Sequence, residues 1–349
     1  MKTSFISSYG TSQAVRTQLL KMQIELVKKE KEVVSGRAAD AGLHLGARTG
    51  QSVSLERDID RLKGVMDSNE LVLSRLSATQ AGLTTLTETA QTFQSTMTAA
   101  SSGAVEPTIL LSEAKTALVK MTGVLNSSLN GENLFAGINT DVQPFADFFE
   151  AGSPARQAIE DAFVTQFGFA HTDPAAAALT RADLTNFLEN VVEPQFTGPD
   201  WNTNWSSATD ATITARITMT DTSSASVSAN EAGIRKLAAA AAYVSVLFEG
   251  TLNEYARDGV IAASTSLVGQ AVSDLAQTQA KTGIVQQRVT AASERLSMQV
   301  DIFSGKVNDL VGIDPYEAST RVQQLLAQIE TAYTLTNRMS QLSLVRFLS

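Results

Sequence analysis

Apolar residues fall at Leu55, Ile59, Leu62 and Met66, then at Leu73, Leu76 and Leu83, alternating three and four apart, with Asn69 and Gln80 filling two positions of the same seam. Spacing of this kind places side chains on one stripe of a helix, and its heptad form suits a helix paired lengthwise with another. After Leu83 the seam slips by one position and resumes as Leu86, Ala90, Phe93 and Met97. Such a slip alters supercoiling locally without ending a helix. A continuous helix of about 50 residues, roughly 75 Å long, is predicted. Glu106-Pro107 interrupts it, because a residue before proline is driven out of the helical region. Leu111, Ala114, Leu118, Met121 and Leu125 then predict a second, shorter helix.

The far half repeats the pattern. Val268, Leu275, Thr282, Val289, Leu296, Phe303 and Leu310 recur every seventh residue, with Ala271, Val285 and Ala292 as the second seam position. Each end adds an amphipathic segment: Val15, Leu19, Met22, Leu26 and Val33 stripe the first, and Val322, Leu325, Ile329, Met339, Leu342, Val345 and Leu348 the second. The sequence GIDP, residues 312–315, breaks the chain before the latter. Two arrangements suit the terminal stripes: they cover a neighbouring subunit, or they pair with each other inside one chain.

The middle differs. Between residues 146 and 229 lie both tryptophans, Trp201 and Trp205, the breaks Asp173-Pro174 and Glu193-Pro194, and the β-branched run TITARITMT at 212–220. The predicted fold is mainly α: an elongated rod of long antiparallel heptad helices from both halves of the chain, with a small mixed α/β domain inserted in the middle. Five segments are expected, namely 1–45 (terminal), 46–145 (rod), 146–229 (inserted domain), 230–310 (rod) and 311–349 (terminal).

Composition supports packing over chemistry. Of 349 residues, 43% are hydrophobic but only 6% aromatic, which suits helices meeting through small and medium side chains. A formal net charge of −9 gives no overall positive field to gather nucleic acid or anionic lipid. Cysteine is absent, so disulfides and thiolate chemistry are excluded. The start, MKTSFISSYG, has no apolar run of the kind a cleaved secretory signal needs. The segment LAAAAAYVSVLF at 237–248 is too short to span a bilayer and is expected to be a buried helix.

No catalytic, cofactor or metal site is predicted. The two histidines, His44 and His171, are expected to be solvated loop residues without a ligand partner. Gly42, Gly46 and Gly50 lack the lysine and preceding strand of a phosphate loop and are expected to mark a hinge between helices. The acidic neighbours Asp58 with Asp60 and Glu160 with Asp161 would suit a glycosidase only across a cleft, and residues one or two apart on a helix do not face each other.

The stretch NSSLNGENLFAGINTDVQPF, residues 126–145, breaks the helical pattern. Asn130-Gly131 suits a positive-φ turn, Pro144 stops a helix, and Phe135 and Phe145 are expected to close the end of the rod. Gly137 belongs to the same turn-rich stretch.

Heptad helices from both halves, a distinct middle, apolar terminal stripes and no cysteine resemble the flagellin superfamily of bacterial flagellar axial proteins. Within it, Asn130, Gly131, Phe135, Ala136, Gly137, Thr140, Pro144 and Phe145 are similar to the segment that follows the first rod helices in hook-filament junction proteins. The ending NRMSQLSLVRFLS at 337–349 and the segment SVSANEAGIRKL at 226–237 resemble the same group. Residues 35–46, SGRAADAGLHLG, depart from the Arg-Ile-Asn pattern of filament flagellins.

The resemblance implies a non-enzymatic structural protein of the flagellum, joining hook to filament by self-assembly through Val15, Leu19, Met22, Leu26, Val322, Leu325, Ile329, Met339, Leu342 and Val345. Filament flagellin is the alternative, and a soluble coiled-coil adaptor a further one. It also implies an extracellular location reached by type III export. The implied partners are further copies of the chain, a neighbouring hook-associated protein, flagellin and an export chaperone, without nucleic acid or membrane insertion.

Overall fold

The computed structural model describes residues 8–348, with side chains from residue 13 to residue 338. The fold is mainly α. Its helices are α1 (Ser8–Ser35), α2 (Ala41–Leu45), α3 (Thr49–Ser101), α4 (Pro107–Leu125), α5 (Pro154–Phe167), α6 (Arg181–Phe187), α7 (Glu193–Thr197), α8 (Asp200–Asn204), α9 (Ala232–Leu247), α10 (Glu254–Val311) and α11 (Pro315–Leu348). Two antiparallel hairpins join them, β1 (Ser128–Leu129) with β2 (Glu132–Asn133), and β3 (Thr214–Arg216) with β4 (Thr222–Ser224).

Proline and glycine set the breaks between helices, the predicted one at Glu106-Pro107 among them. Glu106 is extended (ψ 143°) and Pro107 opens α4, where a missing N–H leaves no helical bond unmade. Gly36 follows α1 at φ 67°, returning its N–H to the Glu32 carbonyl at 2.8 Å. α3 runs through the seam slip after Leu83 without a break and reaches 53 residues.

The chain divides into two compact units. One comprises Met1–Gly64 with Ser297–Ser349, the other Val65–Leu296. In the first, Leu45, Ile59, Val307 and Val311 form a small core with Leu55, Val300 and Phe303 packed against it. The segment leaving α1 pairs with the one entering α11: the Ala38 N–H donates to the Val311 carbonyl at 2.8 Å and the Ile313 N–H to the Gly36 carbonyl at 3.1 Å. This bridge starts α11 beside the end of α1, so the two helices run antiparallel.

In the second unit α3 and α10 run antiparallel in fixed register. Asn69 Nδ2 donates to Ser293 Oγ at 3.0 Å, Gln286 Nε2 to Ser77 Oγ at 3.5 Å, and Gln279 Nε2 to Thr84 Oγ1 at 3.3 Å. The seam residues Leu83, Leu86, Ala90, Phe93 and Met97 are fully buried, as are Val268 and Ala271 on α10. α9 is buried along nearly its whole length, as its alanine-rich sequence predicts. No helix among the described residues is long and apolar enough to cross a membrane.

Residues 146–229 share this core rather than one of their own: Ile159, Phe163, Phe187, Phe196, Trp201 and Trp205 join the cluster that holds α4 and α9. The β3–β4 hairpin lies back on the helices, where Ile217 and Ala225 pack with Val72, Leu76, Val289 and Ala292. Asn69, a polar residue in an apolar seam, is thereby explained. Its Nδ2 also donates to the Ile217 carbonyl at 3.0 Å, so the seam gives up one apolar side chain and gains an anchor for the hairpin.

Candidate assembly interface

The terminal stripes meet within the single chain. Leu19, Leu325 and Ile329 are buried, while Val15, Met22, Leu26 and Val322 are half-buried along the same line of contact between α1 and α11. Polar links flank it: Gln23 Nε2 donates to the Tyr333 hydroxyl at 2.9 Å, and Arg321 pairs with Glu25 at 3.1 Å. Of the two arrangements open to these stripes, the chain alone adopts the intramolecular one, because the bridge at Arg37 and Gly312 delivers the helices side by side. The side chains of Met339, Leu342 and Val345 lie outside the described residues.

Residues 126–145 end α4 and not the longer α3. Asn130 (φ 55°) and Gly131 (φ 86°) form the two-residue loop between β1 and β2, both in the left-handed region that Asn and Gly tolerate. Asn133 then acts as a staple, its Nδ2 donating to the carbonyls of Thr140 at 2.9 Å and Val142 at 3.0 Å. Arg75, on α3 and nearly buried, holds the hairpin from below through Glu132 at 2.7 Å and the Asn133 carbonyl at 2.7 Å. At Gly137 (φ 68°) an added Cβ would lie 2.3 Å from the Thr209 carbonyl oxygen, so glycine is required twice over.

The two phenylalanines go to different places. Phe135 packs on α3 at Gly82 and on α4 at Val124. That position lies about 28 Å before the end of α3, at 1.5 Å per residue. Phe145 instead joins Trp201 and Trp205, each 5.9 Å away between ring centroids. The expectation that both cap the end of the rod is corrected: α4 folds back along α3, so the loop reaches the flank of the long helix. Pro144 is buried, and its carbonyl accepts from the Ser207 N–H at 3.0 Å.

Asn230 organises the re-entry into α9. Its Oδ1 accepts from Trp201 Nε1 and Ser206 Oγ, both at 2.7 Å. Its Nδ2 donates to the Ala208 carbonyl at 3.0 Å and to Asp210 at 2.7 Å. The Arg235 guanidinium sits over the Trp201 ring at 5.4 Å and donates to the Asn230 carbonyl at 2.7 Å. Sequence reasoning passed over Asn126, Asn133, Arg75 and Asn230 as individual positions. The available signal was their setting: polar residues flanking turns, or standing beside a seam leucine.

A charged group ties α4, α5 and the end of α9. Glu249 pairs with Lys115 at 2.5 Å and with Arg156 at 2.7 Å, and Arg156 also holds Glu160 at 2.8 Å. Burial alone would raise the Glu249 carboxyl, but the two cations outweigh it and hold the group below its ordinary value. His171 lies beside this group and is buried, not solvated as expected. Its ring sits edge-on to Phe163 at 6.1 Å, and its Nε2 has no hydrogen-bond partner. Burial pushes the imidazole below its usual value, with Arg156 adding to that effect and Glu160 and Glu249 opposing it. His44 is exposed on α2. The acidic neighbours have local partners: Asp58 meets Arg61 at 3.4 Å, and Glu160 is held by Arg156.

Long antiparallel helices contributed by both ends of the chain define a protein whose terminal regions fold as one element. Residues 6–140 match the family model for the bacterial flagellin N-terminal helical region, and residues 265–348 match that for the bacterial flagellin C-terminal helical region. Together these span more than half of the chain, which belongs to the flagellin superfamily. It is thus a structural, exported protein of the bacterial flagellum. The fold is similar to the solved structure of a "putative flagellar hook-associated protein from Vibrio parahaemolyticus", with a TM-score of 0.53 at 10% identity, covering 76% of this chain and 97% of that one. No curated protein matches the chain at a significant level.

Proposed function

We propose that this chain is a hook-filament junction protein, which assembles with copies of itself through its terminal helices and links a neighbouring hook-associated protein to flagellin. The observation that carries the reading is the stretch 126–145. The residues on which its likeness to junction proteins rests take up specific structural positions here: Asn130 and Gly131 in the hairpin loop, Gly137 against Thr209, and Phe135 and Phe145 in the core. The hook-associated description of the similarly folded Vibrio protein agrees with it. In this reading α1 and α11 form the assembling element, and an export chaperone covers apolar surface before assembly.

Electron microscopy of flagella from a strain lacking this protein, with the medium probed for unassembled flagellin, tests the proposal. The expected result is hooks without filaments and flagellin shed into the medium. Hooks bearing shortened or altered filaments would instead make the chain a filament flagellin. Normal flagella would refute both.

A further inference from the structure

α1 carries a second apolar seam that α11 does not cover. Leu20, Ile24, Val27, Lys31 and Val34 alternate four and three apart, and Leu20, Ile24, Val27 and Val34 are 56, 59, 64 and 89% exposed. At 100° per residue this seam lies about 130° around the helix from the line of Leu19, Met22 and Leu26. A helix with apolar seams on two separate faces is built to sit between two partners, and the described residues supply only one of them.

α10 exposes a seam of the same spacing within the same unit. Met298 and Ile302 are each 57% exposed, and Gly305 and Asp309 continue the four-three alternation, both exposed. Laid parallel, the two seams match position by position: Leu20 on Met298, Ile24 on Ile302, Val27 over Gly305, and Lys31 against Asp309. Reversing the direction sets Leu20 on Asp309 and Lys31 on Met298. Sliding by one heptad sets Lys31 on Ile302 or Ile24 on Asp309. Only the first register avoids placing a charge on an apolar side chain, so the lone charge in each seam selects it.

We propose that the outer seam of α1, Leu20 to Lys31, docks on the Met298–Asp309 face of α10 in a second copy of this chain. Both faces are exposed within one chain, so the pairing needs two molecules. One helix of the first copy meets a different helix of the second, and each copy keeps one unused face of each kind. Such a heterologous contact repeats into rings or helical arrays instead of stopping at a dimer. The inference rests on the proposed self-assembly and names the surface that performs it.

The absence of cysteine allows a direct test. In flagella isolated from cells carrying Val27→Cys with Gly305→Cys, mild oxidation is expected to yield a ladder of covalent multimers of this chain. Either single variant is expected to yield none. A missing ladder, or one from Val27→Cys alone, overturns the docking.

A charge exchange covers variants that merely fold poorly. Lys31→Asp is expected to lower the amount of chain in isolated flagella about tenfold or more, and adding Asp309→Lys to restore it. Lack of rescue overturns the register. If the native chain is itself absent from flagella, the proposed function fails and the docking with it. If the native chain is present and the ladder is absent, the docking alone fails.

Discussion

The side-chain amide of Asn126 pairs with the backbone of Phe145 as a neighbouring strand would, its Nδ2 donating to the carbonyl at 2.8 Å and its Oδ1 accepting from the N–H at 2.9 Å. Asn126 is also the C-cap of α4. One residue therefore ends the helix and closes the loop that follows it, bonding a residue 19 positions further on.

Asn126→Ala removes both bonds and leaves two backbone groups of a buried phenylalanine unpaired. The expected loss is about 2 kcal/mol, as each such bond contributes about 1 kcal/mol net. Urea unfolding of the full chain checks it. Asn126→Asp keeps only the acceptor, so its loss is expected to fall between those of the native chain and the alanine variant.

Asn230→Ala strips partners from Trp201 Nε1 and Ser206 Oγ in a buried site. Leaving buried donors unpaired costs about 1–3 kcal/mol each, so the variant is expected to lose more stability than Asn126→Ala. Tryptophan emission is expected to shift to longer wavelength as water reaches Trp201. An unchanged spectrum and melting curve would refute the role of Asn230.

Gly82→Ala places a methyl group 2.9 Å from Phe135 Cζ and 3.2 Å from Val124 Cγ1. Helix propensity alone favours alanine by about 1 kcal/mol. Overpacking a close-packed site costs about 1–3 kcal/mol, so net destabilisation is the expected outcome in thermal unfolding. Gly64→Ala, where the added carbon meets nothing within 4 Å, is expected to stabilise.

His171 gives the fold a pH dependence whose sign follows from its lowered pKa. The folded chain holds the imidazole neutral, while the unfolded chain takes up a proton below about pH 6.5. Stability is therefore fully present above that pH and is lost as pH falls toward the folded value. His171→Gln is expected to flatten the urea midpoint just below pH 6.5. The Glu249 ion pairs, whose carboxyl is also lowered, act further into the acid range, so the difference between the two chains isolates the histidine.

Leu325 is 1% exposed in the seam between α1 and α11. Leu325→Asp buries a carboxylate in an apolar seam and is expected to unpair the two helices while leaving the unit of residues 65–296 intact. A loss of helical signal in circular dichroism, confined to the terminal helices and accompanied by failure to enter flagella, is the expected result. Normal incorporation would refute the part assigned to this seam.

The sequence by itself determined the helices, their breaks and their apolar faces, because periodicity, proline and glycine act over a few residues. α3 and α10 were readable from heptads, the start of α4 from Glu106-Pro107, and a positive-φ turn from Asn130-Gly131. Tertiary structure alone decided which faces meet. A stripe such as Leu19–Leu26 is the same whether it faces α11 or a neighbour, and only the Arg37–Gly312 bridge sets α11 against it.

The same holds inside the larger unit. Phe135 and Phe145 were expected together at the end of the rod, yet the return of α4 along α3 sent one to Gly82 and the other to the tryptophans. Asn69 looked like a flaw in a seam until Ile217, 148 residues later, arrived to accept its hydrogen bond. His171 turned from a loop residue into a buried one for the same reason. Burial and hydrogen-bond partnership are properties of pairs distant in sequence, and no local pattern encodes the second member of the pair.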